Sequence, residues 1–207
     1  MDFKDKVVLI TGASSGLGAA IAVHMSQLSA KLVLVGRNEK NLKAVAEQCE
    51  KSKGIKAHPV IADVAKEADV ERIVNETINH FGKLDVLVNN AGVTEVGGIR
   101  DTTLAKYDRI MSINIRGVLQ LTMLAVPHLI KTKGNIVNIS SIASTKAFVG
   151  LTDAEVEAFN KEVLETTPLK KLTETNDIAV MVAFLASDCA KSITGCTHCI
   201  DGGKTLS

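Results

Sequence analysis

Several residue types and sequence features that mark particular protein classes are scarce or absent in this chain. It has one tyrosine, no tryptophan and three prolines among 207 residues, and its formal net charge is only +1. So neutral a balance provides no basic field for nucleic acid or for an anionic membrane surface. No run approaches the roughly 18 apolar residues of a membrane span, and the N-terminus has no signal-like apolar core. These absences predict a protein of the cytoplasm or of an organelle matrix, without nucleic-acid or membrane partners.

The four cysteines do not form a convincing metal or redox site. Cys196 and Cys199 have a suggestive spacing, with His198 between them, but no second cysteine pair accompanies them. On a strand, residues three apart point to opposite faces, which is poor geometry for ligands of one ion. We therefore predict no metal centre.

Apolar β-type segments alternate with amphipathic helical segments over the first 140 residues. Strands are predicted near 6–11, 31–36, 56–61, 84–89 and 135–140, and helices near 17–28, 39–51, 67–81 and 103–130. Asn38 is placed to cap the second helix, and Pro127 is expected to kink or end the fourth. The alternation predicts an α/β fold with a doubly wound parallel sheet, and the length suits a single domain over residues 1–207.

The alternation fails after residue 150. A helix is predicted from Thr152 to about Glu165, a second from Asp177 to Ser187, and then a last strand near 196–200. Two helices in succession indicate that one α/β unit, on the order of 30 residues or more, is missing near residue 150. The region of about 141–195 is then truncated, and strand edges are left unpaired unless the sheet closes the gap.

A glycine-rich turn follows the first predicted strand and opens the first helix, which is the context that a dinucleotide-binding motif requires. Gly12 permits a tight turn, Gly16 lets the backbone approach a pyrophosphate, and Gly18 lets the helix pack closely on the strand. The N–H groups at the helix start would face the phosphates. The alternative is an ordinary tight turn.

The spacing Thr-Gly-x-x-x-Gly-x-Gly resembles that of the short-chain dehydrogenase/reductase family. Asp63-Val64 resembles the pair that contacts adenine, and Asn89-Asn90-Ala91-Gly92 resembles a structural segment of the family. Asn114 resembles the active-site asparagine that supports a proton-relay water, and Ser141 resembles the catalytic serine. The resemblance covers nearly the whole chain and implies a Rossmann-like fold, a nicotinamide dinucleotide and a small carbonyl or alcohol substrate. The cofactor-binding residues predicted in this way are Gly12, Ser14, Ser15, Gly16, Leu17, Gly18, Arg37, Asn38, Asp63, Val64, Asn90, Ala91 and Gly92.

The catalytic pair of the family, Tyr-x-x-x-Lys, is absent from this chain. Ala154 and Ala158 stand where the pair is expected, and the one tyrosine, Tyr107, is followed at that spacing by Met111. The family's Pro-Gly motif is absent as well. A neutral Ser141 hydroxyl without a base is a poor proton shuttle, and loss of general acid–base help typically lowers rates about 10²–10⁴-fold. We therefore expect impaired catalysis.

Arg37, at the end of the second strand, is the residue that bears on cofactor choice. NAD-binding members of the family place an acidic residue there, whereas Arg37 can pair with a 2′-phosphate, assisted by Ser14 and Asn38. The residue favours NADP(H) over NAD(H). The alternative is that Arg37 is simply a solvated residue at a helix start.

Three interpretations remain open. The chain is a shortened form of an NADP(H)-dependent reductase, or an NADP(H)-binding regulatory or decoy protein that pairs with a full-length relative through the helix at 103–130, or a non-functional splice product. The loss of the unit that commonly builds the family's subunit interface makes oligomerisation doubtful.

Overall fold

The computed structural model describes residues 1–53, 55–95, 99–141 and 153–206. Five parallel strands form one sheet within them, in the order β3-β2-β1-β4-β5. The strands are β1 (Val7–Thr11), β2 (Lys31–Gly36), β3 (His58–Ile61), β4 (Val86–Asn89) and β5 (Asn135–Asn138). The helices are α1 (Gly16–Gln27), α2 (Glu39–Lys53), α3 (Glu67–Phe81), α4 (Leu104–Met111), α5 (Val118–Thr132), α6 (Asp153–Thr166) and α7 (Thr175–Ala186). The predicted fold class, a Rossmann-like parallel α/β sheet, is confirmed.

The central strands are covered on both faces, which explains their continuous apolar sequences. All five residues of β1 are buried. Val8 and Ile10 pack into a cluster with side chains of α1, α2 and α7, whereas Val7 and Leu9 pack into a second cluster with side chains of α3 and α5. The period-two alternation of β1 thus divides its side chains between two helical layers.

The predicted helix at 103–130 consists of α4, a π-helical turn (Ser112–Gly117) and α5. Pro127 does not end it, because α5 continues to Thr132 and finishes at Lys133 in the left-handed conformation, with φ 53°. Leu121, Ala125 and Leu129 stay buried on either side of the proline. Their packing on the sheet holds the helix together although the proline provides no backbone N–H.

The stretch Leu104–Thr132 also has the length and hydropathy of a membrane span, with a mean hydropathy of 1.3 in its apolar window. This corrects the expectation that no segment approaches one. One face of α5 packs on the sheet, and 22% of the apolar window is buried. The exposed face of the stretch carries Ile115 of the π-helical turn and Leu119 and Met123 of α5, each more than half exposed.

The C-terminal region agrees with prediction in its helices and disagrees in its last strand. Helices α6 and α7 follow each other with no strand between them. The capping box of Glu174 and Asp177 starts α7 at Thr175, slightly before the predicted start. The strand predicted near 196–200 is wrong, since this stretch is irregular and mostly exposed.

Residues 196–200 do not pair with the sheet. In the described part of the chain β5 pairs only with β4, so the sheet ends at β5. The predicted join at Val149-Gly150-Leu151 lies outside the described residues.

Candidate dinucleotide-binding site

The turn between β1 and α1 is shaped by close contact between backbone atoms. Gly12 has φ +67°, a conformation that side chains other than glycine rarely adopt. A Cβ on Gly18 would lie 2.3 Å from the Gly12 carbonyl oxygen, so only glycine fits there. Ser15, the N-cap of α1, makes no side-chain hydrogen bond to the helix. The turn therefore presents the start of α1 without a serine cap, an arrangement suited to an anion.

Thr11 and Asn90 join this turn to the end of β4. The Thr11 hydroxyl accepts hydrogen bonds from the backbone N–H of Asn90 at 3.0 Å and of Ala91 at 2.9 Å. The Asn90 side-chain amide donates in return to the carbonyl oxygens of Thr11 at 2.9 Å and Gly12 at 3.3 Å. These reciprocal bonds fix the glycine-rich turn against the loop that follows β4.

Asn89 makes a second polar connection beneath the site. It is buried, and its Nδ2 donates to Asn138 Oδ1 at 2.9 Å and to Thr122 Oγ1 at 3.3 Å. The amide thus links β4 to β5 and to α5. Asn89 therefore supports the sheet, whereas Asn90 supports the turn.

A cleft of about 330 Å³ opens at the carboxyl ends of the strands. It lies where the strand order reverses between β1 and β4, the position at which open parallel sheets bind ligands. All the predicted cofactor-binding residues line it except Gly16, Gly18 and Asn38. Asn38 instead caps α2 as predicted, its Oδ1 accepting the Asn41 N–H at 3.0 Å.

Five lining residues were not predicted from the sequence. Each lies at a strand end or beside a predicted residue, and none has a polar side chain: Val35, Gly36, Ala62, Val93 and Ile113. Position at the end of a predicted strand could have identified Val35, Gly36 and Ala62, and Val93 directly follows the predicted Gly92. Ile113 directly precedes the predicted Asn114, and the π-helical turn brings it to the cleft.

Arg37 and Asp63 are the only lining residues with ionisable side chains in the described part of the chain. The Arg37 Nη1 atom lies 4.0 Å from Asp63 Oδ2, with side chains 59% and 25% exposed. Ser14 is close by, since a Cβ on Gly36 would lie 3.2 Å from its hydroxyl oxygen. The cleft thus offers a basic group at the end of β2 and backbone N–H groups at the turn.

The residues with predicted catalytic roles do not converge on the cleft. The Asn114 side-chain amide makes two hydrogen bonds to the backbone of Val93: its Oδ1 accepts from the Val93 N–H at 2.9 Å, and its Nδ2 donates to the Val93 carbonyl oxygen at 2.8 Å. Ser141 is exposed beyond the end of β5 and is not a lining residue. Tyr107 lies on α4, 53% exposed, and does not line the cleft either.

The fold and the cleft define a Rossmann-like α/β protein with a cleft where the strand order of the sheet reverses, and comparisons with known proteins give the family. A family model described as short chain dehydrogenase matches residues 6–153, and one described as Enoyl-(Acyl carrier protein) reductase matches residues 149–205. The chain therefore belongs to the short-chain dehydrogenase/reductase family of oxidoreductases, whose members use nicotinamide cofactors.

Individual relatives agree with this assignment. Meso-2,3-butanediol dehydrogenase of Serratia marcescens is 32% identical over 247 aligned positions, covering 100% of this chain and 97% of that enzyme. The 11-beta-hydroxysteroid dehydrogenase-like 2 protein of Arabidopsis thaliana is 42% identical over 188 residues, 88% of this chain and 60% of that protein. The crystal structure of levodione reductase superposes with a TM-score of 0.89 at 28% identity and covers 99% of both chains.

Proposed function

We propose that this chain binds NADP(H) in the cleft and has little or no turnover as a carbonyl reductase or alcohol dehydrogenase. The observation that carries the proposal is the composition of the cleft, which combines a glycine-rich turn and Arg37 with no tyrosine or lysine among its described lining residues. NADP(H) would supply or accept the hydride. The described lining residues include no tyrosine, lysine or histidine, side chains that commonly donate or accept the proton in such a reaction.

Two features support a shortened form of a longer reductase. The alignment with the butanediol dehydrogenase spans 247 positions, about forty more than the 207 residues of this chain, yet covers nearly all of that enzyme. The two family matches meet at residues 149–153, the place where the sequence predicts the join. A missing unit there would remove the segment that carries the tyrosine and lysine.

The site residues and the single domain over 1–207 are part of this proposal, as is a cytoplasmic or organelle-matrix location.

The preference for NADP(H) rests on Arg37. A planar guanidinium recognises a phosphate group through paired, charge-assisted hydrogen bonds. Arg37 stands at the end of β2, and its side chain is sufficiently exposed to reach a ligand in the cleft. Asp63 follows the neighbouring strand β3, and its Oδ2 atom lies 4.0 Å from Arg37 Nη1, close enough to hold the guanidinium at the cleft when no phosphate is present.

Thermal unfolding of the purified chain with excess NADPH, excess NADH or neither tests this function. We expect a cooperative transition that NADPH raises more than NADH, by up to about 2.7 kcal/mol of stability at a hundredfold excess over Kd. A parallel redox assay with a panel of ketones and quinones should show little turnover. Robust turnover that Ser141→Ala abolishes would contradict the predicted inactivity. A cooperative transition that neither cofactor moves would contradict cofactor binding, and no cooperative transition would favour a non-functional splice product.

The exposed apolar stripe on the long helix favours a second candidate, a regulatory partner of a full-length relative. Ile115, Leu119 and Met123 recur every four residues and therefore share one helical face. Monomeric proteins seldom expose such a contiguous face without a partner. Co-purification with a full-length relative, weakened by Leu119→Glu and unaffected by Lys43→Ala on the distant helix α2, would support this candidate.

A further inference from the structure

The loop of residues 62–66, between β3 and α3, supplies one wall of the cleft through Ala62, Asp63 and Val64. Asp69, in the first turn of α3, reaches back to this loop. Its Oδ2 atom accepts a hydrogen bond from the Asp63 N–H at 2.8 Å. Asp69 does not line the cleft itself, so any effect on a ligand must pass through the loop.

Arg72, one turn further along α3, completes the contact. Its Nη2 atom donates to Asp69 Oδ1 at 2.9 Å and to the carbonyl oxygen of Ile61, the last residue of β3, at 2.7 Å. Its Nη1 atom donates to Glu76 at 3.0 Å. The pair of Asp69 and Arg72 thus binds the end of β3 and the first turn of the loop to a single helix.

The charge of Asp69 suits this role. The hydrogen bond from the Asp63 N–H, followed by that from Arg72, holds the pKa of the Asp69 carboxyl below its ordinary value. Hydrogen bonds to Asp69 first and then to Glu76 raise the pKa of the Arg72 guanidinium. Both members therefore remain charged at neutral pH, and charge-assisted hydrogen bonds are stronger than neutral ones.

The opposite side of the loop is also held. A Cβ on Gly117, at the end of the π-helical turn, would lie 2.5 Å from the Val64 carbonyl oxygen, so the two backbones are in close contact. Asp63 Oδ2 also lies 4.0 Å from Arg37 Nη1, at the end of the neighbouring strand β2. The loop is therefore held between α3 and the π-helical turn, with its residue Asp63 beside Arg37 at the cleft.

We propose that Asp69 and Arg72 form a positioning pair that holds loop 62–66 as the wall for the adenosine half of the dinucleotide. The proposal rests on the proposed function, in that the cleft must bind a dinucleotide. The pair itself does not contact the ligand and acts only through the loop. Loss of the pair should therefore weaken the binding of ligands that contain adenosine and spare those that do not.

Asp177 provides a matched control. It also lies in the first turn of a helix, accepts the N–H of a preceding residue, Glu174, at 3.0 Å, and pairs with Lys171 at 2.9 Å. It does not line the cleft. Asp177→Ala therefore removes the same kinds of interaction as Asp69→Ala, but at a helix start that contributes nothing to the site.

The test measures the dissociation constants of NADPH, ADP-ribose and reduced nicotinamide mononucleotide for the unaltered chain and the variants. We expect Asp69→Ala to weaken NADPH and ADP-ribose about tenfold, the equivalent of about 1.4 kcal/mol, and to leave the mononucleotide unchanged. Asp69→Asn retains an oxygen that can accept the Asp63 N–H, so its dissociation constants should lie between those of the unaltered chain and of Asp69→Ala. This milder variant also serves if the alanine variant does not fold. Asp177→Ala should leave all three constants unchanged.

Two results would overturn the positioning role while leaving the proposed function intact. The first is NADPH binding by the unaltered chain that neither Asp69 variant weakens. The second is an equal loss of NADPH affinity in the Asp69 and Asp177 variants, which would make the effect a general one on stability. Failure of the unaltered chain to bind NADPH or ADP-ribose would overturn the proposed function and the positioning role together.

Discussion

Replacing Arg37 by alanine removes the only cationic side chain among the described lining residues of the cleft. A hydrogen bond to a charged group contributes about 1.5–3 kcal/mol. Arg37 is 59% exposed, so solvent screens it and the lower end of that range applies. We therefore expect the Kd for NADPH to rise about tenfold, since about 1.4 kcal/mol corresponds to a factor of ten.

The change should be specific to the phosphorylated cofactor. NADH has no 2′-phosphate, so its Kd should change by less than about twofold in Arg37→Ala, a change of a few tenths of a kcal/mol. Fluorescence titration of both reduced cofactors at low and high salt provides the measurement. Because the group is exposed, the NADPH preference of the unaltered chain should shrink as salt increases.

Lys43→Ala is the control for loss of a surface cation. Lys43 lies on α2, and its side chain pairs with Glu39 on the same helix at 2.6 Å. Its removal should leave both dissociation constants unchanged. Equal losses of NADPH and NADH affinity in Arg37→Ala, or no loss of either, would refute the reasoning and leave Arg37 as a solvated residue at a helix start.

Three further predictions concern the fold and its response to acid. Gly18→Ala should lower stability by about 2 kcal/mol, because the added methyl group overlaps the Gly12 carbonyl oxygen; a melting temperature within about 1 °C of the unaltered chain would contradict this. Asp85→Ala should be less stable than Asp85→Asn by about 1–3 kcal/mol in urea unfolding, because only asparagine can still accept the buried Val7 N–H, now bonded to Asp85 at 2.8 Å; equal stabilities would contradict it. The lowered pKa of Asp69 stabilises the folded chain above its unfolded pKa of about 3.9, and this stabilisation is lost as pH falls through the folded value. Melting temperatures of Asp69→Asn and the unaltered chain should therefore differ at pH 7 and converge as the pH falls from about 4 through the lowered pKa of Asp69, and a constant difference would argue against it.

The sequence by itself determined the elements whose signals are local. The buried run of β1, the Asn38 cap of α2 and the glycine spacing around Gly12 and Gly18 each depend on residues close in sequence. Strand periodicity, a side-chain cap and a positive φ act within a few residues. The alternation of such elements was enough to predict the parallel sheet.

The tertiary structure decided whatever depends on a distant partner. Residues 196–200 have strand-like sequence but remain irregular and do not pair with β5, the last strand of the sheet. The Asn114 side chain hydrogen-bonds to the backbone of Val93, and the Asp69 carboxylate accepts a hydrogen bond from the loop before α3. The local sequence around Asn114 or Asp69 indicates neither contact. Pro127 stays within a helix because residues around it pack on the sheet. A side chain's partners are set by which elements the fold brings together, and spacing along the chain does not specify them.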